Sequence, residues 1–271
     1  MEKQRKIFNK NGIITNIDSR NYDKMNLKMK GLVLKQRNFL DEQKFLTILT
    51  IERGLMAVKI KIGGQINRNV FSNVNVLGYY AFNIFEGRFG CVVDSVEVLE
   101  LFFNLRYNPK NLALAQYFCE LTNLFVPTKQ RAGKHLNLLL NSLWLLNEEK
   151  FECEFIKTVF EFRLVSISGY MPNLIGCKFC NKYIDPKMFY VSHEGYLICG
   201  DCLNENRVAN ATELTSTVLH AMRFIIYKNE KEIFNFRLNA VSMKRLSKIV
   251  ENYVLLFTEG ELKTLKVYRQ F

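Results

Sequence analysis

Four of the seven cysteines fall into two pairs of identical spacing, and thiols at this spacing bind metal ions. Two residues separate Cys177 from Cys180, and two residues separate Cys199 from Cys202. Each C-x2-C turn lets two thiolates converge on one ion, and two facing turns complete the tetrahedral sulfur site that zinc prefers. The sequence therefore predicts one structural Zn²⁺ per chain, bound by Cys177, Cys180, Cys199 and Cys202.

The stretch between the two pairs has the pattern of a zinc ribbon. Residues 187–191 and 196–198 have the composition of short strands, and His193, Glu194 and Gly195 are typical of the turn between them. Four cysteines fill the zinc shell, so we interpret His193 as a turn residue rather than a fifth ligand.

Three other interpretations of these cysteines remain open. They could be buried free thiols, although two matched pairs rarely arise by chance. Disulfides are disfavoured because we recognise no signal peptide and cytosolic thiols stay reduced. A catalytic zinc would keep one position open for water, whereas four cysteines close the shell. The remaining cysteines lie singly in apolar stretches, which favours a packing role: Cys91, Cys119 and Cys153.

The composition predicts a folded protein of one to three domains. Hydrophobic residues make up 48% of the 271 residues, which excludes global disorder. The apolar run 136–146 is too short to cross a bilayer and is interrupted by Asn141 and Ser142. We expect a soluble, cytoplasmic protein without a membrane partner.

The formal net charge of +12 predicts attraction to polyanions, of which nucleic acid is the commonest in a cytoplasm. Solubility alone is the alternative explanation of this charge. Residues 173–207, which contain the ribbon, hold equal numbers of acidic and basic residues. Any contact with nucleic acid is therefore expected from the flanking parts of the chain.

Residues 29–105 show the period-two alternation of strands. Five strand runs joined at glycine turns predict a small closed barrel, and the five-stranded OB-fold is the commonest barrel of this size that binds single strands. Around Lys59 and Lys61 one face is apolar and the other is basic, which suits a nucleic-acid backbone but also an ordinary solvated strand. Residues 1–28 lack any apolar period and are predicted to be a flexible extension or a misassigned start.

Helical spacing begins after residue 105. Asn108 and Pro109 form a helix start, and Gly169 a helix stop. After the ribbon, helices are predicted over about 212–228 and 242–258. The predicted fold class is α+β, an N-terminal five-stranded OB-fold barrel and then an α-helical bundle interrupted by a four-cysteine zinc ribbon that projects from it. The predicted domains are the extension, the barrel, the first helical part, the ribbon and the second helical part: 1–28, 29–105, 106–172, 173–207 and 208–271.

Three segments resemble the bacterial recombination mediator family RecO, in residues as well as in order. The opening segment carries Arg37, Glu42, Thr50 and Gly54 at the spacing that the family shows. The middle segment leads into the first cysteine pair and is the most specific of the three. The segments are LKQRNFLDEQKFLTILTIERG (34–54), FEFRLVSISGYMPNLIGCKFC (160–180) and LKTLKVYRQF (262–271).

The resemblance implies a role in DNA repair by recombination, without bond chemistry. RecO-like proteins bind single- and double-stranded DNA and anneal complementary strands. With RecR they load RecA onto DNA coated by single-strand binding protein, whose acidic C-terminal tail the helical bundle recognises. The sequence agrees, since it has neither a G-x-x-x-x-G-K-[ST] phosphate loop nor an H-E-x-x-H motif. A bacterial cytoplasmic, nucleoid-associated location follows from the same resemblance.

The nucleic-acid site departs from the family in one respect. RecO-like proteins carry a dense basic run after the third strand, where this chain reads KIKIGGQINRN (59–69). The candidate DNA-binding residues are Lys35, Arg37, Lys59, Lys61 and Arg68. A footprint shifted towards the basic residues of the last long helix is an alternative, as is a solvated face for those residues.

The helices after the ribbon are the predicted binding site for the tail of single-strand binding protein. Such a tail needs an apolar wall and a cation at its rim. The predicted wall consists of Leu246, Ile249, Val250 and Tyr253, and the predicted rim of Lys244, Arg245 and Lys248. The alternative function is a zinc-stapled protein-interaction scaffold that does not bind DNA directly, and an enzyme that uses the zinc is a third.

Overall fold

The chain folds into a five-stranded barrel followed by a helical bundle that incorporates a small sheet, which is the fold class predicted from the sequence. This computed structural model describes residues 25–38, 43–61, 74–88, 90–258, 260 and 262–271. Within those ranges, no helix combines the length and the apolar character that a membrane span requires.

The barrel closes in the strand order β1-β2-β3-β5-β4, with parallel pairing between β3 and β5 and antiparallel pairing elsewhere. The apolar interior of the barrel is formed by alternate residues of each strand. In β3, for example, Val58 and Ile60 point into the interior while Ala57 and Lys59 point outward. The strands are β1 (Met25–Asn38), β2 (Gln43–Thr50), β3 (Gly54–Lys61), β4 (Tyr79–Gly87) and β5 (Gly90–Glu100).

Strand β1 begins at Met25, inside the segment that the sequence assigned to a flexible extension. The assignment of residues 25–28 is therefore corrected. Leu27 and Met29 continue the alternation of the strand and pack against the interior of the barrel, which accounts for the earlier start. Residues 1–24 lie outside the described part of the chain.

In the described part of the chain, the bundle contains five α-helices of 12 to 17 residues and two shorter ones. Helix α1 starts as predicted, because the Asn108 side chain accepts a hydrogen bond from the Asn111 amide and Pro109 occupies the first turn. The helices are α1 (Pro109–Phe125), α2 (Gly133–Asn147), α3 (Cys153–Ile167), α4 (Gly200–Asn206), α5 (Ser216–Tyr227), α6 (Ala240–Leu255) and α7 (Lys263–Tyr268).

A four-stranded sheet of order β6-β8-β7-β9 forms the ribbon. Its last strand corrects the predicted helix over 212–228, because residues 211–214 pair antiparallel with β7 and the helix begins only at Ser216. The strands are β6 (Asn173–Cys177), β7 (Met188–Val191), β8 (Tyr196–Cys199) and β9 (Ala211–Leu214).

The ribbon was predicted to project from the bundle, but in the structure it does not. Its buried residues, among them Tyr190 and Leu197, belong to the same continuous core as the helices. Tyr190 packs against Tyr253 of α6 with ring centroids 5.9 Å apart. The physical reason is the apolar content of the ribbon strands, since all four residues of β8 are buried. The ribbon is therefore a structural layer of the bundle.

A buried ionic network joins α3 to α6. The Lys157 ammonium donates to Glu161 at 3.0 Å and to Glu251 at 2.6 Å, and the Tyr117 hydroxyl donates to Glu161 at 2.5 Å. Burial raises the pKa of Glu161 although Lys157 and Tyr117 oppose the shift. Burial lowers the pKa of Lys157, but the two carboxylates outweigh it and the net shift is upward. Lys157 therefore stays charged inside the bundle.

Candidate metal centre and nucleic-acid interface

The structure brings the four predicted cysteines together at one end of the ribbon sheet. Their sulfur atoms all lie within 4.8 Å of one another, and Cys180 Sγ is 3.6 Å from Cys199 Sγ. Zinc–sulfur bonds of about 2.3 Å place the sulfurs of a tetrahedron about 3.8 Å apart, so the cluster has the size of a zinc site. Cys177, Cys199 and Cys202 are buried and Cys180 is exposed. Four thiols at this spacing could hold one metal ion.

The first cysteine turn is a tight knuckle. The Cys177 amide donates to the Lys182 carbonyl at 2.9 Å, and the Asn181 amide donates to the Cys177 carbonyl at 2.9 Å. A Cβ on Gly176 would lie 2.9 Å from the Asn181 carbonyl oxygen, which is closer than such atoms approach. Glycine is therefore required at position 176 for the chain to turn back on itself.

The electrostatics of the cluster favour one thiolate in particular. Burial raises the pKa of Cys177, but hydrogen bonds to its sulfur, led by those from the backbone of Cys180 and Cys199, bring the pKa down to about 6. Burial raises the pKa of Cys199 and of Cys202. Of these three cysteines, Cys177 most readily offers the negative sulfur that a metal ligand must be.

Two neighbouring groups do not join this cluster. His193 lies in the turn between β7 and β8 with its ring half-exposed, as the sequence predicted for a turn residue. Asp185 and Asp201 approach Cys199, but the Lys182 ammonium lies 3.3 Å from the first carboxylate and 2.9 Å from the second. Both carboxylates are therefore already paired with that lysine.

The outer surface of β1, β2 and β3 changes character along its length. At one end, Leu32, Leu49 and Leu55 stand opposite one another and pack into the core of the bundle. At the other end, the bundle does not cover the equivalent row of residues. Directly opposite side chains on neighbouring strands share a face, so the same face is apolar at one end and open at the other.

The open end carries cations around an aromatic ring. Phe45 on β2 stands between Arg37 on β1 and Lys59 on β3. The Phe45 side chain is 39% exposed, and Lys59 Nζ lies 5.8 Å from its ring centroid. The next row towards the bundle pairs Lys35 with Thr47. We call the surface formed by Lys35, Arg37, Phe45, Thr47 and Lys59 the open face.

Two of the predicted DNA-binding residues are not part of the open face. Lys61 lies on β3 opposite Gln43, one row beyond Phe45. Arg68 lies outside the described residues. The open face therefore contains three of the five predicted cations, together with an aromatic residue that the sequence did not single out.

The predicted binding site for the partner's tail is corrected, because its apolar wall is buried in the structure. Leu246, Ile249, Val250 and Tyr253 are at most 5% exposed, because this stripe of α6 packs into the core, and it cannot form the wall of an open groove. Of the predicted rim, Lys244 and Lys248 are exposed, whereas Arg245 is partly buried and donates to the Glu213 carbonyl of β9.

A cavity of about 490 Å³ lies beside Arg245, between the ribbon and the bundle. Ile184, Pro186 and Leu219 supply apolar lining, and Arg223 contributes a second guanidinium. Two carboxylates also line the cavity, and one of them, Asp185, is paired with Lys182. The cavity thus combines an apolar wall with cations, the combination predicted for the buried stripe.

The sequence of the bundle and ribbon decides the family. Residues 106–266, more than half of the chain, match the family model described as "Recombination protein O C terminal". The chain belongs to the RecO family. The matched range contains all four cysteines of the metal cluster and both arginines of the cavity.

Relatives extend the RecO likeness to the barrel. "DNA repair protein RecO" of Alkaliphilus metalliredigens is 28% identical over 231 residues, which are 85% of this chain and 93% of the relative. The proteins of the same name from Acetivibrio thermocellus and Caldicellulosiruptor bescii are 25% and 26% identical, and the aligned regions cover 84% and 90% of this chain and 90% and 98% of those relatives.

Two residues of this RecO-family chain escaped the sequence analysis. Phe45 had a detectable signal, because it falls on the outward phase of the alternation that places Leu46 and Ile48 inside. Arg223 also had one, since a cation within the apolar run of α5 must find buried partners. Neither pattern indicates, from the sequence alone, which groups the side chain contacts.

Proposed function

We propose that this chain is a DNA-binding recombination mediator that acts in DNA repair without catalysing bond chemistry. The observation that carries the proposal is the row Arg37, Phe45 and Lys59 on the open face. Membership of the RecO family and the name of its relatives, DNA repair protein RecO, support the same role.

The open face has the chemistry of a single-strand binding surface. Cations on either side of a ring contact consecutive phosphates, while the ring stacks on a base of any sequence. Phosphate contacts carry no sequence information, so binding at this face is general. We assign single- and double-stranded DNA to the barrel domain, and Lys61 and Arg68 remain candidate DNA-binding residues.

Annealing follows from charge neutralisation in this proposal. Two complementary strands repel each other through their phosphates, and a surface of net positive charge lowers that repulsion while leaving bases free to pair. The protein then helps a RecR-like partner load recombinase onto strands coated by single-strand binding protein. This role belongs to a cytoplasmic, nucleoid-associated protein.

The metal in this proposal is one structural Zn²⁺ per chain, held by Cys177, Cys180, Cys199 and Cys202. Its support is the sulfur cluster and its closed set of four ligands. Because the ribbon shares the bundle core, zinc would stabilise the bundle as a whole rather than an isolated appendage.

The tail of single-strand binding protein is assigned to the cavity between ribbon and bundle. Arg223 and Arg245 would receive its carboxylates, and Ile184, Pro186 and Leu219 its apolar side chain. Arg245→Glu should lower the affinity for a tail peptide by about 10- to 150-fold, as expected when a charged hydrogen bond of about 1.5–3 kcal/mol is lost. Lys244→Glu is the matched control, because Lys244 lies on the same helix but does not line the cavity.

Annealing of complementary strands coated by the cognate single-strand binding protein tests the whole proposal. Wild type should accelerate annealing, and Arg37→Glu with Lys59→Glu should abolish the acceleration. A protein that binds the tail peptide but neither binds nor anneals DNA would instead be a zinc-stapled interaction scaffold. The cavity is the observation that favours this second candidate.

A further inference from the structure

Arg223 connects the two halves of the first cysteine knuckle to the helical bundle. The residue lies on helix α5 and is 6% exposed. Its Nε donates to the Leu174 carbonyl at 2.8 Å, and its Nη2 donates to the carbonyls of Ile175 at 3.1 Å and Tyr183 at 2.7 Å. Its guanidinium also lies 3.9 Å from the centroid of the Tyr183 ring.

The three carbonyls flank the knuckle on both sides. Leu174 and Ile175 belong to β6, which leads into Cys177, whereas Tyr183 follows Cys180. Strand pairing fixes this region only weakly, because β6 pairs with β8 at Asn173 and Cys177 with an irregularity between them. One guanidinium therefore holds the incoming and outgoing segments of the knuckle at a fixed separation.

The same guanidinium borders the cavity between the ribbon and the bundle. Arg223 lines that cavity, and its Nη1 is buried without a hydrogen-bond partner among the described residues. A buried donor without an acceptor is costly, and the guanidinium carries a positive charge beside the cavity, which favours a carboxylate there. The three hydrogen bonds made by Nε and Nη2 fix the position of this charge.

We propose that Arg223 is a positioning residue for the metal centre and couples that centre to anion binding in the cavity. Metal binding holds the knuckle, the knuckle carbonyls hold the guanidinium, and the guanidinium then holds its positive charge beside a carboxylate in the cavity. Coupling of binding free energies is reciprocal, so a carboxylate in the cavity also strengthens metal binding. The coupling to anion binding rests on the proposed tail site, whereas the positioning role does not.

Zinc release from the full-length, zinc-loaded protein tests the positioning role. The rate is measured by transfer of zinc to an excess of a chromogenic chelator at neutral pH. Arg223→Gln should speed release about tenfold or more, in line with the effect of removing groups that orient metal ligands. Arg163→Gln should leave the rate unchanged, because Arg163 also donates to backbone carbonyls, those of Ile225 and Ile226, but lies neither at the knuckle nor at the cavity.

A conservative variant separates positioning from a general loss of folding. Arg223→Lys keeps the charge but cannot reach three carbonyls at once, so zinc release should again be faster while the melting temperature of the loaded protein stays near wild type. Release rates of both Arg223 variants within about twofold of wild type, far from the effect expected on losing a group that orients metal ligands, would overturn the positioning role.

The coupling is tested with a synthetic peptide of three aspartates followed by a C-terminal phenylalanine. The wild-type protein should bind this peptide several-fold more tightly when loaded with zinc than when stripped, and the bound peptide should slow zinc release by a similar factor. Equal affinity in the two states would overturn the coupling. Absence of peptide binding in both states would refute the proposed tail site and with it the coupling, and the release rates alone would then decide the positioning role.

Discussion

Phe45 and Lys59 stand directly opposite each other on neighbouring strands, with the ammonium 5.8 Å from the ring centroid. Arg37 flanks the same ring on its other side. The ring therefore stands between two cationic positions of the sheet and is 39% exposed, which leaves a surface on which a base can stack.

Replacing the ring tests stacking separately from charge. Phe45→Ala should weaken single-stranded DNA binding by about 1–3 kcal/mol, the cost of losing one stacked base. The salt dependence of binding should not change, because no charge is removed. Phe103→Ala is the matched control, since Phe103 is also exposed and lies 5.5 Å from a guanidinium, that of Arg106, but sits outside the barrel. Equal losses in the two variants, measured by fluorescence anisotropy, would argue against a role for the open face.

We predict that Gly54, at the junction of barrel and bundle, is sensitive to substitution. Gly54 has φ +61°, and a Cβ there would lie 2.4 Å from the Pro127 carbonyl oxygen and 2.7 Å from that of Gln130. Gly54→Ala should lower the free energy of unfolding by about 2 kcal/mol or more, because a strained backbone and a backbone clash add together. Gly87→Ala meets nothing within 4 Å and should have little effect in the same urea unfolding measurement.

The buried network of the bundle predicts non-additive substitutions. Lys157→Met leaves the fully buried Glu161 carboxyl without its cation, and it should cost about 3–5 kcal/mol of unfolding free energy. Adding Glu161→Leu removes that unpaired carboxyl, so the double variant should be more stable than Lys157→Met alone. Urea unfolding of wild type, Lys157→Met, Glu161→Leu and the double variant measures the coupling. Additive losses would mean that the lysine and the carboxylate act independently.

The metal centre predicts a contrast between two buried cysteines. Cys199→Ala should lower the bound zinc well below one per chain and reduce the melting temperature, because metal binding and folding of the ribbon are coupled. Cys119→Ala should retain one zinc, since burial raises the pKa of Cys119 to about 12 and keeps it a neutral packing group. Metal analysis and thermal unfolding measure the two effects. Equal zinc content in the two variants would contradict the assignment of the cysteine cluster.

Local patterns in the sequence predicted the elements that depend on local spacing. The cysteine turns were recognisable because both ligands of each pair lie within one turn of chain. The barrel was recognisable because the alternation around Val58 and Ile60 persists along a strand. Strand β9 was missed because residues 211–214 become a strand only through pairing with β7, a contact that their own composition does not reveal.

The partner site shows why surfaces are harder to predict than elements. An apolar stripe such as Leu246 and Ile249 indicates that a helix face is covered, but not whether the cover is the core or a partner. Here the core covers it, and the cavity beside Arg245 is assembled from residues of the ribbon and two helices. The set of residues that lines the cavity therefore depends on tertiary packing.

The salt dependence of single-stranded DNA binding tests the central claim most directly. The affinity of wild type should fall steeply with salt concentration, and each phosphate contact removed should make the logarithmic slope shallower by about 0.7. Arg37→Glu with Lys59→Glu should therefore bind weakly with a shallower slope, whereas Lys244→Glu with Lys248→Glu, on helix α6, should retain the wild-type slope. Unchanged affinity and slope in the barrel variant, or no DNA binding by wild type even at low salt, would contradict the assignment of DNA to the open face.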